Sequence, residues 1–94
     1  MPTYIVLGRL TAQAKRNQVE ALKTRDQLWS EFQKKGFKIT PYMTLGKYDV
    51  VNIVEAPSEE WMMKFLQSAG ATGNIETTTL RAFTPSETEK IRAL

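Results

Sequence analysis

Apolar and polar positions along this chain recur at two periods, and the switches between them outline a fold. Residues 3–10, TYIVLGRL, are rich in β-branched and aromatic side chains and predict a strand. Thr11 can cap the next segment, and residues 12–22 predict a helix. The apolar spacing lapses at residues 23–26, where Thr24 with Gln27 three positions on resembles a capping box. A second helix, or a kinked continuation, then runs to residue 35 with Leu28, Trp29 and Phe32 on one face. Gly36 ends it in the left-handed cap position. Residues 37–45 predict an extended segment, and Pro41 within it cannot donate to a ladder, which assigns it to a sheet edge. Gly46-Lys47 predicts a tight hairpin turn, and residues 48–56, YDVVNIVEA, predict the strongest strand. Ser58 caps a helix opened by Glu59 and Glu60, which carries Met62, Phe65, Leu66 and Ala69 inward and ends near Gly70. Gly73-Asn74 leads into a last strand, residues 75–83, and residues 86–92 predict a short helix capped by Ser86.

The order β-α-β-β-α-β with right-handed crossovers puts the first and third strands in the centre and the second and fourth at the edges. This is a ferredoxin-like α+β sandwich with an antiparallel four-stranded sheet. It forms a single domain over residues 1–94, of which 85–94 are a short helical tail.

A sheet covered on one side should alternate apolar and polar residues. The central strands do not: Tyr4 and Val6 stand on one face, Ile5 and Leu7 on the other, and Val50 and Val54 oppose Val51 and Ile53. Two helices cover one face only, and the tail offers just Ile91 and Leu94 for the second. An apolar surface of that kind predicts a partner, most simply a second copy packed face to face in a homodimer or higher homo-oligomer.

Composition narrows the chemistry. The 94 residues contain no cysteine and no histidine, which excludes disulfides, thiol nucleophiles, Cys/His zinc sites and imidazole bases. No metal site and no cofactor are expected; Glu59 and Glu60 are explained by the helix dipole. No apolar run approaches membrane length and no signal peptide is visible, so a cytoplasmic location is the expectation. The net charge of +3 conceals a basic first half and an acidic second half. The basic residues are scattered among acidic ones along helices and do not alternate with strand aromatics, so no nucleic-acid platform is predicted.

Leu45-Gly46-Lys47-Tyr48-Asp49-Val50-Val51, followed by Val54-Glu55-Ala56-Pro57, resembles the signature of the GYD domain family. Gly73-Asn74-Ile75 and Thr77-Thr78-Thr79-Leu80-Arg81-Ala82-Phe83 extend the resemblance to nearly the whole chain. It implies a dimeric α/β barrel, in which two sheets pack together, and carries over no catalytic residue. The helix after Thr11 departs from the family pattern, with Ala14 and Thr24-Arg25 where Gly and Pro are frequent.

Candidate functional residues fall into two groups. Gly46, Tyr48 and Asp49 read either as a site, with Asp49 a base or anchor and Tyr48 its partner, or as turn chemistry. Gly73 and Asn74 belong to the same structural class. Asn52 interrupts a Val/Ile strand and needs partners or a wet cavity. Thr77, Thr79 and Arg81 recur at period two, and Arg9 lies on the neighbouring strand. Together they suggest a pocket for a small anionic or aromatic ligand. The plainer alternative is solvated threonines and an arginine paired with Glu55 or Glu76. Two functions are compatible with this pattern. One is an oligomeric barrel that binds a small molecule or a protein. The other is a cofactor-independent enzyme, monooxygenase- or isomerase-like, whose base is a carboxylate, lysine or tyrosine with a shifted pKa.

Overall fold

The computed structural model describes all 94 residues. Strand β1 (Thr3–Leu10) leads through α1 (Ala12–Arg16) and α2 (Gln18–Gln33) to β2 (Lys38–Met43) and β3 (Val50–Glu55). Helix α3 (Glu59–Ala71), strand β4 (Ile75–Ala82) and helix α4 (Pro85–Arg92) complete the chain. The sheet is antiparallel throughout in the order β2-β3-β1-β4, the ferredoxin-like α+β arrangement read from the sequence. Pro41 lies on the edge strand β2, where the missing N–H costs no ladder bond.

Local chemistry differs from expectation at three points. The first helix breaks at Asn17 (φ −126°, ψ 54°), and α2 then runs unbroken through residues 23–26. Thr24 does not cap; its hydroxyl donates to the Glu20 carbonyl one turn back at 3.0 Å, a bond compatible with a continuous helix. The β2–β3 connection spans residues 44–49, wider than a two-residue turn. It is closed by Thr44 N–H donating to the Asp49 carbonyl (3.0 Å) and the Thr44 hydroxyl to the Tyr48 carbonyl (2.6 Å). The last helix is capped by Thr84, not Ser86: its hydroxyl accepts from Glu87 N–H while the Glu87 carboxylate accepts from Thr84 N–H, and Pro85 occupies the first turn. Those bonds to Thr84 hold the Glu87 carboxyl below its ordinary pKa.

Strand register assigns the faces. Tyr4, Val6, Gly8 and Leu10 of β1 share the helix side with Val50, Asn52 and Val54 of β3 and with Ile75, Thr77, Thr79 and Arg81 of β4. The buried core (Tyr4, Val6, Phe32, Phe37, Val54, Ala56, Met62 and Phe65) occupies one end of that side, with Phe32 edge-on to Phe37, Trp61 and Phe65. At the other end the layers part. Val19 and Leu22 on α2 are exposed, as is Met43 on β2, so the first half of α2 does not seal against the sheet.

The opposite side of the sheet has no cover. Ile5, Leu7 and Val51 are half-buried by their neighbours, while Ile53 (38%), Leu80 (47%) and Tyr42 (55%) stay exposed. The tail does not fold over them: α4 builds no packed interface with the sheet, and Ile91 and Leu94 are exposed. The radius of gyration, 14.3 Å, reflects this projecting helix; a compact domain of this length has about 12 Å.

Candidate functional site

Where α2 leaves the sheet, a cavity of about 330 Å³ opens between the two layers. Val6, Leu10, Val50 and Ile75 form its floor, Ala21, Leu28 and Trp29 its roof, and Phe65, Leu66 and Ala69 of α3 its inner wall. Gly8 makes the floor possible. A Cβ there would stand 2.6 Å from both Val50 Cγ2 and Ile75 Cδ1, so the two side chains close over the strand only because Gly8 has none. A glycine inside a strand of β-formers is the sequence signal for this close approach, one that periodicity alone passes over.

Asn52 lines the cavity. Its side chain is 7% exposed, and its Oδ1 is sealed from solvent without a hydrogen-bond partner. The facing residues on the adjacent strands, Val6 and Pro41, carry no side-chain donor. Thr77 also lines the cavity, as do Gln18, Thr24, Thr72 and Asn74. The charged lining residue is Arg25, whose guanidinium is held 2.9 Å from Asp26 and stacked 4.7 Å from the Trp29 ring centre.

Of the residues singled out in the sequence as ligand-binding, the structure brings Asn52 and Thr77 to this cavity and leaves the others outside. Arg9 faces the other side of the sheet, opposite Glu76 in register, because antiparallel partners share a face and Arg9 is odd-numbered where Gly8 is not. Arg81 shares the helix side with Thr77 and Thr79. Its guanidinium donates to the Thr3 carbonyl at 3.1 Å and to the Ala82 carbonyl, and sits 4.3 Å from the Phe83 ring centre. Asp49 accepts from Leu10 N–H at 2.8 Å, while its own N–H donates to the Gly8 carbonyl at 2.9 Å, tying the hairpin to the end of β1. Lys47 Nζ lies 5.7 Å from the Tyr48 ring centre. Gly46 and Gly73 hold φ of +109° and +73°, conformations that favour glycine, and Asn74 Oδ1 accepts from Gln13 Nε2 at 3.2 Å. Sequence reasoning missed Ala21, Leu28 and Trp29 as cavity lining. The lapse of apolar spacing after residue 22 is the visible trace of a helix that does not hug its sheet.

A second buried polar atom, the Tyr4 hydroxyl, also lacks a partner. Burial raises its pKa, with Glu59 and Glu60 adding to the effect and Arg81 opposing it. No cluster of three or more acidic side chains is placed to hold a metal ion, and no helix is long and apolar enough to cross a membrane.

A ferredoxin-like sheet with helices on one side, an open apolar face on the other and a hollow between its layers defines a small α+β domain. Residues 4–91 match the GYD domain profile, and the chain belongs to the GYD domain family. It is 31% identical over 84 residues to the glutamine synthetase and cystathionine beta-lyase binding protein of Thermus thermophilus, covering 87% of this chain and 88% of that one. No solved structure matches the chain.

Proposed function

We propose that this protein is a small homo-oligomeric binding protein that docks on protein partners and performs no reaction. The observation that carries the homo-oligomer is the uncovered outer face of the sheet, which that assembly consumes; the protein partner rests on the relative's name. Ile5, Leu7, Val51, Ile53, Leu80 and Tyr42 form its apolar centre. Lys38 and Glu55, paired at 3.7 Å, stand at one end, and Arg9 faces Glu76 at the other. An apolar centre with a charged rim is the anatomy of a protein interface. The face suits a second copy packed two-fold, each end meeting charges of both signs, and yields the dimeric α/β barrel that the family resemblance implies. The name of the Thermus relative supports a protein partner, and glutamine synthetase and cystathionine beta-lyase are the first partners to test. The reading includes a cytoplasmic location alongside such enzymes. It is favoured over the catalytic alternative because no carboxylate or lysine lines the cavity to act as base, and the tyrosine at its edge, Tyr42, is 55% exposed.

Sedimentation velocity at micromolar concentration, with surface-immobilised binding to the two purified enzymes, tests it. A mass of at least twice 10.7 kDa is expected for the protein, and the monomer mass for Ile53→Lys. A wild-type monomer that captures neither enzyme would overturn the reading.

A further inference from the structure

We propose that the hollow between α2 and the sheet binds a small, uncharged, largely apolar molecule that carries a hydrogen-bond acceptor, taken by the side-chain NH₂ of Asn52. The inference goes beyond the docking reading and does not depend on it, since the docking face lies on the opposite side of the sheet.

Three observations fix the class of ligand. The first is the free donor. Asn52 is 7% exposed, and of its two amide atoms Oδ1 is the sealed one. Nδ2 is not sealed, and no protein oxygen accepts its hydrogens. The in-register neighbours, Val6 and Pro41, offer no side-chain acceptor, and the open space that Asn52 borders is the hollow. A donor at the wall of an apolar hollow is satisfied by a guest that brings an oxygen such as a carbonyl. Other polar groups of the lining are spent locally: the Thr24 and Thr72 hydroxyls donate to the Glu20 and Ala69 carbonyls. The second observation is charge. Neither a lysine nor a carboxylate lines the hollow, and the Arg25 guanidinium is held 2.9 Å from Asp26 and stacked on Trp29. A charged guest would lose its water without a free counter-charge in return. The sequence-based expectation of an anionic or aromatic ligand is thereby narrowed to its uncharged half. The third is size and lining. The volume, about 330 Å³, is about twice that of a cavity that admits a single benzene ring, so a two-ring skeleton fits. The walls are mostly aliphatic, with the Trp29 ring at the roof and the exposed Leu22 and Met43 flanking the opening.

1-Tetralone and 1-methylidenetetralin are the probes: one bicyclic skeleton, with C=O in the first and the isosteric C=CH₂ in the second. Each is titrated into ¹⁵N-labelled full-length protein and followed by NMR. Both are expected to shift the backbone amides of Ala21 and Thr77, and 1-tetralone alone the side-chain NH₂ of Asn52. The two probes differ in their transfer from water, so their affinity ratio is compared between wild type and Asn52→Leu, where that difference cancels. Asn52→Leu should lower the preference for the ketone about fivefold, the worth of one buried hydrogen bond. Ala21→Trp, which fills the hollow from the roof, should block both probes; should that variant fail to fold, the ratio in Asn52→Leu still decides. Tetralin-1-carboxylate and 1-tetralol should bind no tighter than 1-tetralone. The proposal is overturned if neither probe binds, if Asn52→Leu leaves the ratio unchanged, if the carboxylate or the alcohol binds tighter, or if the shifts map to Ile5, Val51 and Leu80. Failure of the docking reading would appear in sedimentation and enzyme capture, and leaves these titrations untouched.

Discussion

Replacing Asn52 by leucine should make the protein more stable. In the folded chain the amide is 7% exposed, lies between Val6 and Pro41, and leaves Oδ1 without a partner. In the unfolded chain water satisfies both its atoms. The difference for one unsatisfied buried polar atom is about 1–3 kcal/mol. Leucine removes that penalty and adds apolar contact with the cavity walls. The adjoining hollow of about 330 Å³ accommodates its branch, so little overpacking strain opposes the gain. A net increase of about 1–2 kcal/mol is expected, and for a domain of this size each kcal/mol raises Tm by roughly 4–8 °C. Paired urea and thermal unfolding, read by the fluorescence of Trp29 and Trp61, measure it. The urea m-value should stay constant, which separates a change in stability from a change in the exposed surface. A loss of about 1 kcal/mol or more in Asn52→Leu would refute the reasoning, since it would mean that the amide already has a partner in the folded protein. A gain would show that the chain keeps a group at this site at the expense of its own stability, the usual mark of a functional position.

The remaining predictions concern the residues around this site. Tyr4→Phe removes a buried hydroxyl without a partner and should raise stability by up to about 1 kcal/mol in urea unfolding. Because burial raises the Tyr4 pKa in the folded state, its contribution is complete below about pH 10 and is lost as pH rises through the folded-state value. The alkaline fall in stability should therefore be shallower in Tyr4→Phe, and an unchanged profile would contradict this. Asp49→Ala strips the acceptor from Leu10 N–H and should cost about 1.5–3 kcal/mol in urea unfolding. Unchanged stability would mean that this bond does not hold the hairpin to β1. Gly8→Ala forces Val50 and Ile75 apart and should cost about 1–3 kcal/mol, measured by the same melts.

Most of the architecture was legible because it is written at short range. Strand periodicity, the Thr11 and Ser58 caps, the Gly36 stop and the edge position of Pro41 each depend on residues within a few positions of one another, and each is found in the structure. The two apolar faces of β1 and β3 were equally plain, since alternation is a property of one strand. The candidate site was legible only in part. Asn52 announced itself as a polar residue where the pattern wanted an apolar one, but its neighbours depend on register. Arg9 joins Thr77 and Arg81 on sequence spacing alone, and only its pairing with Glu76 sets it on the other face. The hollow itself depends on how α2 lies over the sheet, buried at Phe32 and exposed at Val19 and Leu22. No local pattern encodes that placement. Thr24 misled for a related reason: its hydroxyl can cap a new helix or bond back one turn, and the choice depends on what the helix packs against.

Strand β3 presents two surfaces on alternate residues, a wall of the cavity and part of the open outer face. Val50, Asn52 and Val54 look toward the helices, and Val51, Ile53 and Glu55 look away from them. Substitutions can adjust either surface without touching the other, because neighbouring side chains point in opposite directions. Insertions and deletions cannot. Adding or removing one residue upstream would turn the amide out into the apolar face and press Val51 and Ile53 into the hollow, exchanging both surfaces in a single step. The ties that hold this register, Asp49 to Leu10 at one end and Ala56 N–H to the Pro2 carbonyl at the other, thus hold both faces in place at once. Descendants of this chain can vary either face independently, but they must keep the length of this strand.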